Sequence, residues 1–253
     1  MAPLGTQADS HQPDSKTIRS FFQSISSQYD FLNSLMSFGL DRYWRKQAVQ
    51  KTLTGREESI LDLGVGTGKS LFAFLEAKPF QRAVGCDFSI GMLSVAKERF
   101  AIHNGNLGSA KPAPRTAVHL VACDFHELPF VQDTFDVVTG SFMLRSVRQR
   151  DHFFKEILRV LKRGGKAVFL ELTRPKNRFF WNGVYRPYLR FYVPTVGAFF
   201  SKQAEAYQFL SQSIQSFAEP VDLKRRMESN GFSKVFDTPL TLGTTTIMGG
   251  YKP

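Results

Sequence analysis

Residues 59–68 read Ser59-Ile60-Leu61-Asp62-Leu63-Gly64-Val65-Gly66-Thr67-Gly68, and their order decides the fold. Ser59 to Leu63 is a short apolar run ending in a glycine loop, the pattern of a buried strand. Ser70 to Ala77 follows with helical character. The turn between them, Gly64-x-Gly66-x-Gly68, accepts only small residues. Backbone comes close to a ligand in such a turn, and the amides that open the helix face it. The dinucleotide version is G-x-G-x-x-G; this turn has one residue fewer between its last two glycines and is not set up for a pyrophosphate. Asp62, two residues before the first glycine, would repel phosphate and attract an ammonium or sulfonium group. The ligand expected here is zwitterionic and carries a cation.

Outward from this loop the alternation continues. Strands are predicted at Arg82 to Cys86, Val118 to Ala122, Phe135 to Ser141 and Lys166 to Glu171. Helices are predicted from about Gly91 to Phe100 and over Asp151 to Leu161, the latter stopped by Gly164-Gly165. A Gly/Pro/Asn/Ser-rich loop covers roughly residues 104–115. Two more helices fall at about Lys202 to Phe217 and Val221 to Asn230, and terminal strands at Ser233 to Asp237 and Thr244 to Tyr251. Such alternation implies an α/β domain with a mostly parallel, doubly wound sheet, and the terminal strand pair implies an antiparallel edge. Residues 1–15 read as a flexible tail, Ile18 to about Ser37 as an N-terminal helical cap, and Tyr43 to Leu53 as a further helix. Residues 16–253 read as one domain, in which 174–202 interrupts the pattern as an insertion over the sheet edge.

Ligands of open α/β sheets lie at the carboxyl ends of the strands, near the point where strand order reverses. Asp87 ends the second strand, 23 residues after Gly64, the spacing at which an acid grips ribose hydroxyls. Asp124 and Phe125 follow the third strand, where an acid can meet an adenine amine and a ring can lie on the base. Ser141 ends the fourth strand and faces the same crevice. Together with Asp62, Gly64, Gly66, Thr67 and Gly68 these make a cofactor site for S-adenosylmethionine, and the fold expected is the class I methyltransferase, Rossmann-like, form.

Composition sets the outer limits. The 253 residues include 42% hydrophobic side chains, enough for a core without staples. Net charge is +11 and the pI about 9.8, which suits nucleic acid, a membrane surface or an anionic substrate. Two cysteines, Cys86 and Cys123, argue against a disulfide framework and for a reducing compartment. The polar start of the chain shows no secretory pattern, its lack of arginine before Arg19 argues against a mitochondrial presequence, and no run of 18 apolar residues occurs. The expected location is cytoplasmic.

Several motifs carry a narrower resemblance. Tyr29-Asp30-Phe31-Leu32-Asn33-Ser34-Leu35-Met36-Ser37-Phe38-Gly39 through Trp44 is one, and Arg159-Val160-Leu161-Lys162-Arg163-Gly164-Gly165 through Leu170-Glu171-Leu172-Thr173 is the second. Leu128-Pro129-Phe130 and Ser141-Phe142-Met143-Leu144-Arg145 lie between them; Ala206-Tyr207, Ser213-Ile214 and Gly250-Tyr251-Lys252 follow. From about Phe21 to Lys252 the chain resembles the ubiquinone/menaquinone biosynthesis C-methyltransferase family. It departs from that pattern at Asp41 (usually His), Ser146 (usually Asn), Arg163 (Pro), Thr173 (Ser) and Lys69 (usually an acid).

The resemblance implies methylation of a ring carbon in a prenylated quinol precursor, demethylmenaquinol or its ubiquinol counterpart. Such a carbon becomes nucleophilic when the neighbouring phenol ionises, so the protein must position the ring and stabilise phenolate charge. Arg145 is the expected catalytic charge stabiliser, and a guanidinium, always protonated, is no base. For the proton the candidates are Asp124 through water, His126, Tyr29 and Tyr207, the two tyrosines also as substrate contacts. No metal is expected.

Residues 174–202 hold nine aromatics, six basic residues and no acid. That composition suits anionic headgroups and the entrance for a long isoprenoid tail. The partners expected are therefore a lipophilic quinol and the inner face of a membrane; other enzymes of the same pathway and a homodimer remain open. A methyltransferase for another small molecule, and a cofactor-binding protein without catalysis, are competing readings. Nucleic acid is the weakest alternative: there is no Asn/Asp-Pro-Pro-Tyr motif for a flipped base and no RNA-binding module.

Overall fold

A computed structural model describes residues 29–105, 116–201, 204–217 and 219–253. The expected tail 1–15, the start of the helical cap and the loop 106–115 lie outside the described residues. Helices α1 (Tyr29–Met36) and α2 (Leu40–Thr52) open the described chain. Then follow β1 (Ser59–Leu63), α3 (Lys69–Ala77), β2 (Arg82–Asp87), α4 (Ile90–Gly105), β3 (Val118–Ala122) and β4 (Phe135–Ser141). After α5 (Arg150–Val160) and β5 (Leu161–Leu172) comes a helical run that ends in α6 (Val193–Ser201). Helices α7 (Ala204–Ser216) and α8 (Pro220–Ser229) and strands β6 (Ser233–Leu240) and β7 (Thr245–Tyr251) complete it.

The seven strands form one sheet in the order β3-β2-β1-β4-β5-β7-β6. The first five are parallel; β7 runs antiparallel to β5, and β6 antiparallel to β7. The antiparallel strand thus sits inside the sheet, with β6 outside it. Strand order reverses between β1 and β4, which are neighbours in space but not in sequence. Register aligns Leu63 with Cys86 and with Gly140, Asp87 with Ala122, and Ser141 with Leu170. The loops expected to carry chemistry therefore leave one edge of the sheet side by side. Every residue of β1 is buried, because a central parallel strand is covered on both faces.

Helix α5 ends earlier than the glycine pair suggests. Leu161 turns extended (φ −68°, ψ 140°), and Gly164-Gly165 lies within β5. Phe135 pairs with Leu161 and Val137 with Lys166, so the residues between form a bulge. Gly164, at φ +74°, supplies the left-handed residue this bulge needs.

The described part of the segment, residues 174–201, lies over the carboxyl ends of β4 and β5, where it shares a cavity lining with Phe142 and Leu172. Its helical run contains two wider π turns, Trp181–Tyr185 and Tyr188–Tyr192, a form frequent at functional sites. Tyr185, Leu189 and Val193 pack with Leu32 and Met36 of α1 and with Tyr207 and Ile214 of α7. This is a second core, separate from the cluster of Phe153, Phe154, Phe169 and their neighbours beneath the sheet. Among the described residues no helix is long and apolar enough to cross a membrane.

Candidate active site

The glycine loop is built around left-handed backbone. Gly64 has φ +65° and Gly68 φ +86°; a Cβ on Gly64 would come within 2.9 Å of Met143 Cβ, and one on Gly68 within 2.9 Å of Phe100. Both positions are closed to side chains by conformation and by packing. Asp87 braces the loop: its Oδ2 accepts from the Gly66 amide (2.9 Å) and its Oδ1 from the Ser89 amide (2.9 Å). Phe125 is half-buried beside this cleft, edge-on to Phe88 at 6.4 Å and 3.8 Å from where a Gly64 Cβ would stand. Ser141 is half-buried at the end of β4.

Asp62 is wholly buried, and among the described residues neither carboxylate oxygen has a hydrogen-bond partner. The Leu71 amide acts on it without reaching hydrogen-bond geometry. Burial pushes its carboxyl up to about 8, with nearby Arg45 opposing and Asp87 adding to the rise. A buried carboxylate without a partner is costly. The glycine cradle and this orphaned acid together fit the sulfonium-bearing amino acid end of S-adenosylmethionine.

Lys69 proves to face away from that acid. Its ammonium donates to the Asp30 carbonyl (3.1 Å) and the Ser34 hydroxyl (3.2 Å) and lies 3.7 Å from Asp41 Oδ2. Burial lowers its pKa, with Asp30 and Asp41 opposing. Asp41 is itself buried and ion-paired with Arg45 at 2.6 Å. The two departures, an acid at 41 and a base at 69, therefore compensate each other across α2 and the loop.

Over the ends of β4 and β5 lies a cavity of about 420 Å³, and Arg45 in its wall donates to the Ser70 hydroxyl just past the loop at 3.1 Å. Its walls are mainly aromatic and aliphatic, among them Phe142, Tyr185, Tyr188 and Tyr207. Phe142 sits at φ +60°, a strained conformation for a bulky residue, held by its amide to the Leu170 carbonyl (2.7 Å). Arg145 lines this cavity and is only 5% exposed. Its guanidinium is ion-paired with Glu171, and its backbone amide donates to the same carboxylate at 3.3 Å. Glu171 is fully buried; burial raises its pKa, and Arg145 opposes that rise.

The expected proton acceptors separate. Tyr207 lines the cavity and is 2% exposed. The side chain of Tyr29 lies outside the described residues, although its backbone begins α1. Asp124 is exposed and accepts from His126 through both the ring Nδ1 (2.7 Å) and the backbone amide (2.9 Å). His126 Nε2 is 2.6 Å from the Arg148 carbonyl. Asp124 and His126 thus border a different, open groove with His152 and Arg159, not the Arg145 cavity. Burial nudges the Asp124 carboxyl up, and the His126 bonds outweigh it, leaving it below the usual range.

Glu171, Asp41, Arg45, Phe142 and Tyr185 belong to the site without having been singled out for it. Glu171 carried one signal, an acid closing an apolar strand. Tyr185 was one of the nine aromatics expected at the tail entrance, and nothing set it apart from them, because the π turns shift helical phase away from regular spacing.

A family model described as the ubiE/COQ5 methyltransferase family matches residues 10–252. The "Ubiquinone/menaquinone biosynthesis C-methyltransferase UbiE" of Geobacter sulfurreducens is 37% identical over 93% of this chain and 88% of its own length. The "Demethylmenaquinone methyltransferase" of Thermobifida fusca is 36% identical over 94% of this chain and 96% of its own. The fold resembles that of the putative methyltransferase solved with the Haloferax volcanii Trm112 activator, at TM-score 0.61, 16% identity, 92% of this chain and 97% of that one. That likeness speaks for the class I methyltransferase fold, while the sequence match runs through the loop, the arginine and the terminal strands alike. Its extent settles kinship: the chain belongs to the ubiE/COQ5 methyltransferase family.

Proposed function

We propose that this protein is an S-adenosylmethionine-dependent C-methyltransferase acting on a ring carbon of a prenylated quinol in respiratory quinone biosynthesis. The observation that carries this reading is the largely apolar cavity whose lining includes the buried guanidinium of Arg145, ion-paired with Glu171, alongside that of Arg45, ion-paired with Asp41. A flat ring with a long apolar tail fills such a space by burial of its surface. The relatives named for quinone methylation support the same substrate class.

Asp62, Gly64, Gly66, Thr67, Gly68, Asp87, Asp124, Phe125 and Ser141 are the residues that would hold the cofactor. When bound, S-adenosylmethionine supplies an electrophilic methyl group on sulfur. Arg145 holds the phenolate oxygen and so favours the ionised ring, in which the adjacent carbon is nucleophilic. Glu171 keeps that guanidinium in place by accepting from its side chain and its amide. Tyr207, with Tyr29, is assigned to substrate contact. The apolar walls exclude water and strengthen the Arg145 charge. Expression in a strain that lacks quinol C-methylation, followed by mass spectrometry of extracted quinones, is expected to restore the methylated product; unmethylated quinone alone would overturn the assignment.

Delivery of such a substrate points to a membrane surface. Phe179, Phe191 and Phe199 are 92%, 64% and 80% exposed, and Arg178, Arg186 and Arg190 are exposed among them. Val184, 58% exposed, and Phe38, 70% exposed, border the cavity itself. This face suits peripheral binding to anionic lipid on the cytoplasmic side. Wild-type protein should float with anionic liposomes and lose this when Arg178, Arg186 and Arg190 become Ser. Absence of flotation in both would contradict it.

A further inference from the structure

Helix α1 faces two ways. Asn33 and Met36 line the apolar cavity. Asp30, near the start of the same helix, reaches the glycine loop. Its Oδ1 accepts from the Thr67 hydroxyl at 2.7 Å. Its Oδ2 is ion-paired with Arg99 of α4, whose Nε donates to the Thr67 carbonyl at 2.8 Å. Lys69 donates to the Asp30 carbonyl and to Ser34 one turn further along α1. Thr67 is 3% exposed, so the loop residue at the centre of this network is clamped through both its side chain and its carbonyl.

None of these contacts serves the sheet or either core. They join one wall of the acceptor cavity to the loop beside Asp62. Charge-assisted hydrogen bonds of this kind are geometrically demanding and shift together. We propose that Asp30 is a positioning residue coupling the two binding sites. A ligand in the glycine loop fixes Thr67, Thr67 and Arg99 fix Asp30, and Asp30 sets α1 as the cavity wall. Cofactor and quinol then bind cooperatively, each tightening the other by the same factor. This rests on the cofactor reading given above.

The test is hydrogen exchange of the full chain with and without S-adenosylhomocysteine, paired with acceptor kinetics. In the wild type the ligand is expected to slow exchange in both 62–68 and 29–36. Asp30→Asn removes the charge but keeps the shape. It should retain protection of the loop, lose the ligand-dependent protection of 29–36, and raise the KM for quinol about tenfold. Arg99→Met, which removes the other tie on Asp30 at a residue outside the binding machinery, should give the same split, and Asp30→Glu should restore part of the coupling. Ligand protection of 29–36 in Asp30→Asn equal to the wild type would overturn the proposal while leaving the cofactor reading intact. Absence of loop protection in the wild type would overturn the cofactor reading, and the coupling with it.

Discussion

Replacement of Arg145 by alanine is expected to lower turnover at saturating cofactor by about 10³-fold or more. A single preorganised donor at a developing oxyanion contributes about 10²–10³ in other enzymes. Here the donor is a full charge in a cavity with aromatic walls, where water screens it little. Arg145→Lys keeps the charge, yet it loses the planar fork that reaches Glu171 and the cavity together, and about a 10²-fold loss is expected. The alanine variant also leaves the fully buried Glu171 without its cation, which costs about 3–5 kcal/mol of stability. The paired variant Arg145→Met with Glu171→Leu removes that unpaired charge. It should recover stability but not turnover. Near-normal turnover in a folded Arg145→Ala variant would remove this residue from the chemistry.

Asp62→Asn should move stability and binding in opposite directions. Below about 4 the Asp62 carboxyl is protonated in both folded and unfolded chains; its ordinary value is 3.8. Between that value and about 8 the unfolded chain gives up this proton while the folded chain keeps it. Folding then binds a proton, so stability falls as pH rises across this window and levels off above it. The full penalty is on the order of 5 kcal/mol. The asparagine variant escapes it, and its Tm without ligand at pH about 8.5 should exceed that of the wild type. Its affinity for the cofactor should fall about 10²-fold, because a buried cation loses its partner. In the wild type, affinity should climb with pH toward about 8, with a proton released on binding below that value. Calorimetry in buffers of different ionisation enthalpy reads this directly. Equal affinity of the variant and the wild type would show that Asp62 faces no cation.

Much of this site was legible because its parts are local. The strand, the glycine turn and Asp62 fall within ten consecutive residues, and backbone conformation alone dictates the glycines at 64 and 68. Asp87 and Ser141 were placed by the rule that chemistry gathers at strand ends, which the register of the sheet obeys. Lys69 was opaque because its partners, Asp30 and Asp41, are distant in sequence and meet it only after α1 and α2 fold over the loop. Glu171 stood in the sequence only as the end of a strand and part of a motif; its pairing with Arg145, 26 residues away, appears only once β5 is packed. Gly164-Gly165 carried a helix-stop signal, yet its φ serves a bulge within β5. As proton acceptors Asp124 and His126 offered the same chemistry, yet they bond to each other through one carboxylate oxygen and border a groove apart from the Arg145 cavity. Spacing reports which residues are near a strand end, not the direction in which their side chains point.

Methyl transfer reaches carbon in the cavity that Arg145 lines. It is tested by incubating the purified chain with S-adenosylmethionine carrying a ¹³C-labelled methyl group and a reduced prenylated naphthoquinol, then locating the label by NMR. The label is expected as a methyl group on the quinol ring carbon, absent with Arg145→Ala. Label on a quinol oxygen, or none in a sample that binds S-adenosylhomocysteine, would contradict it.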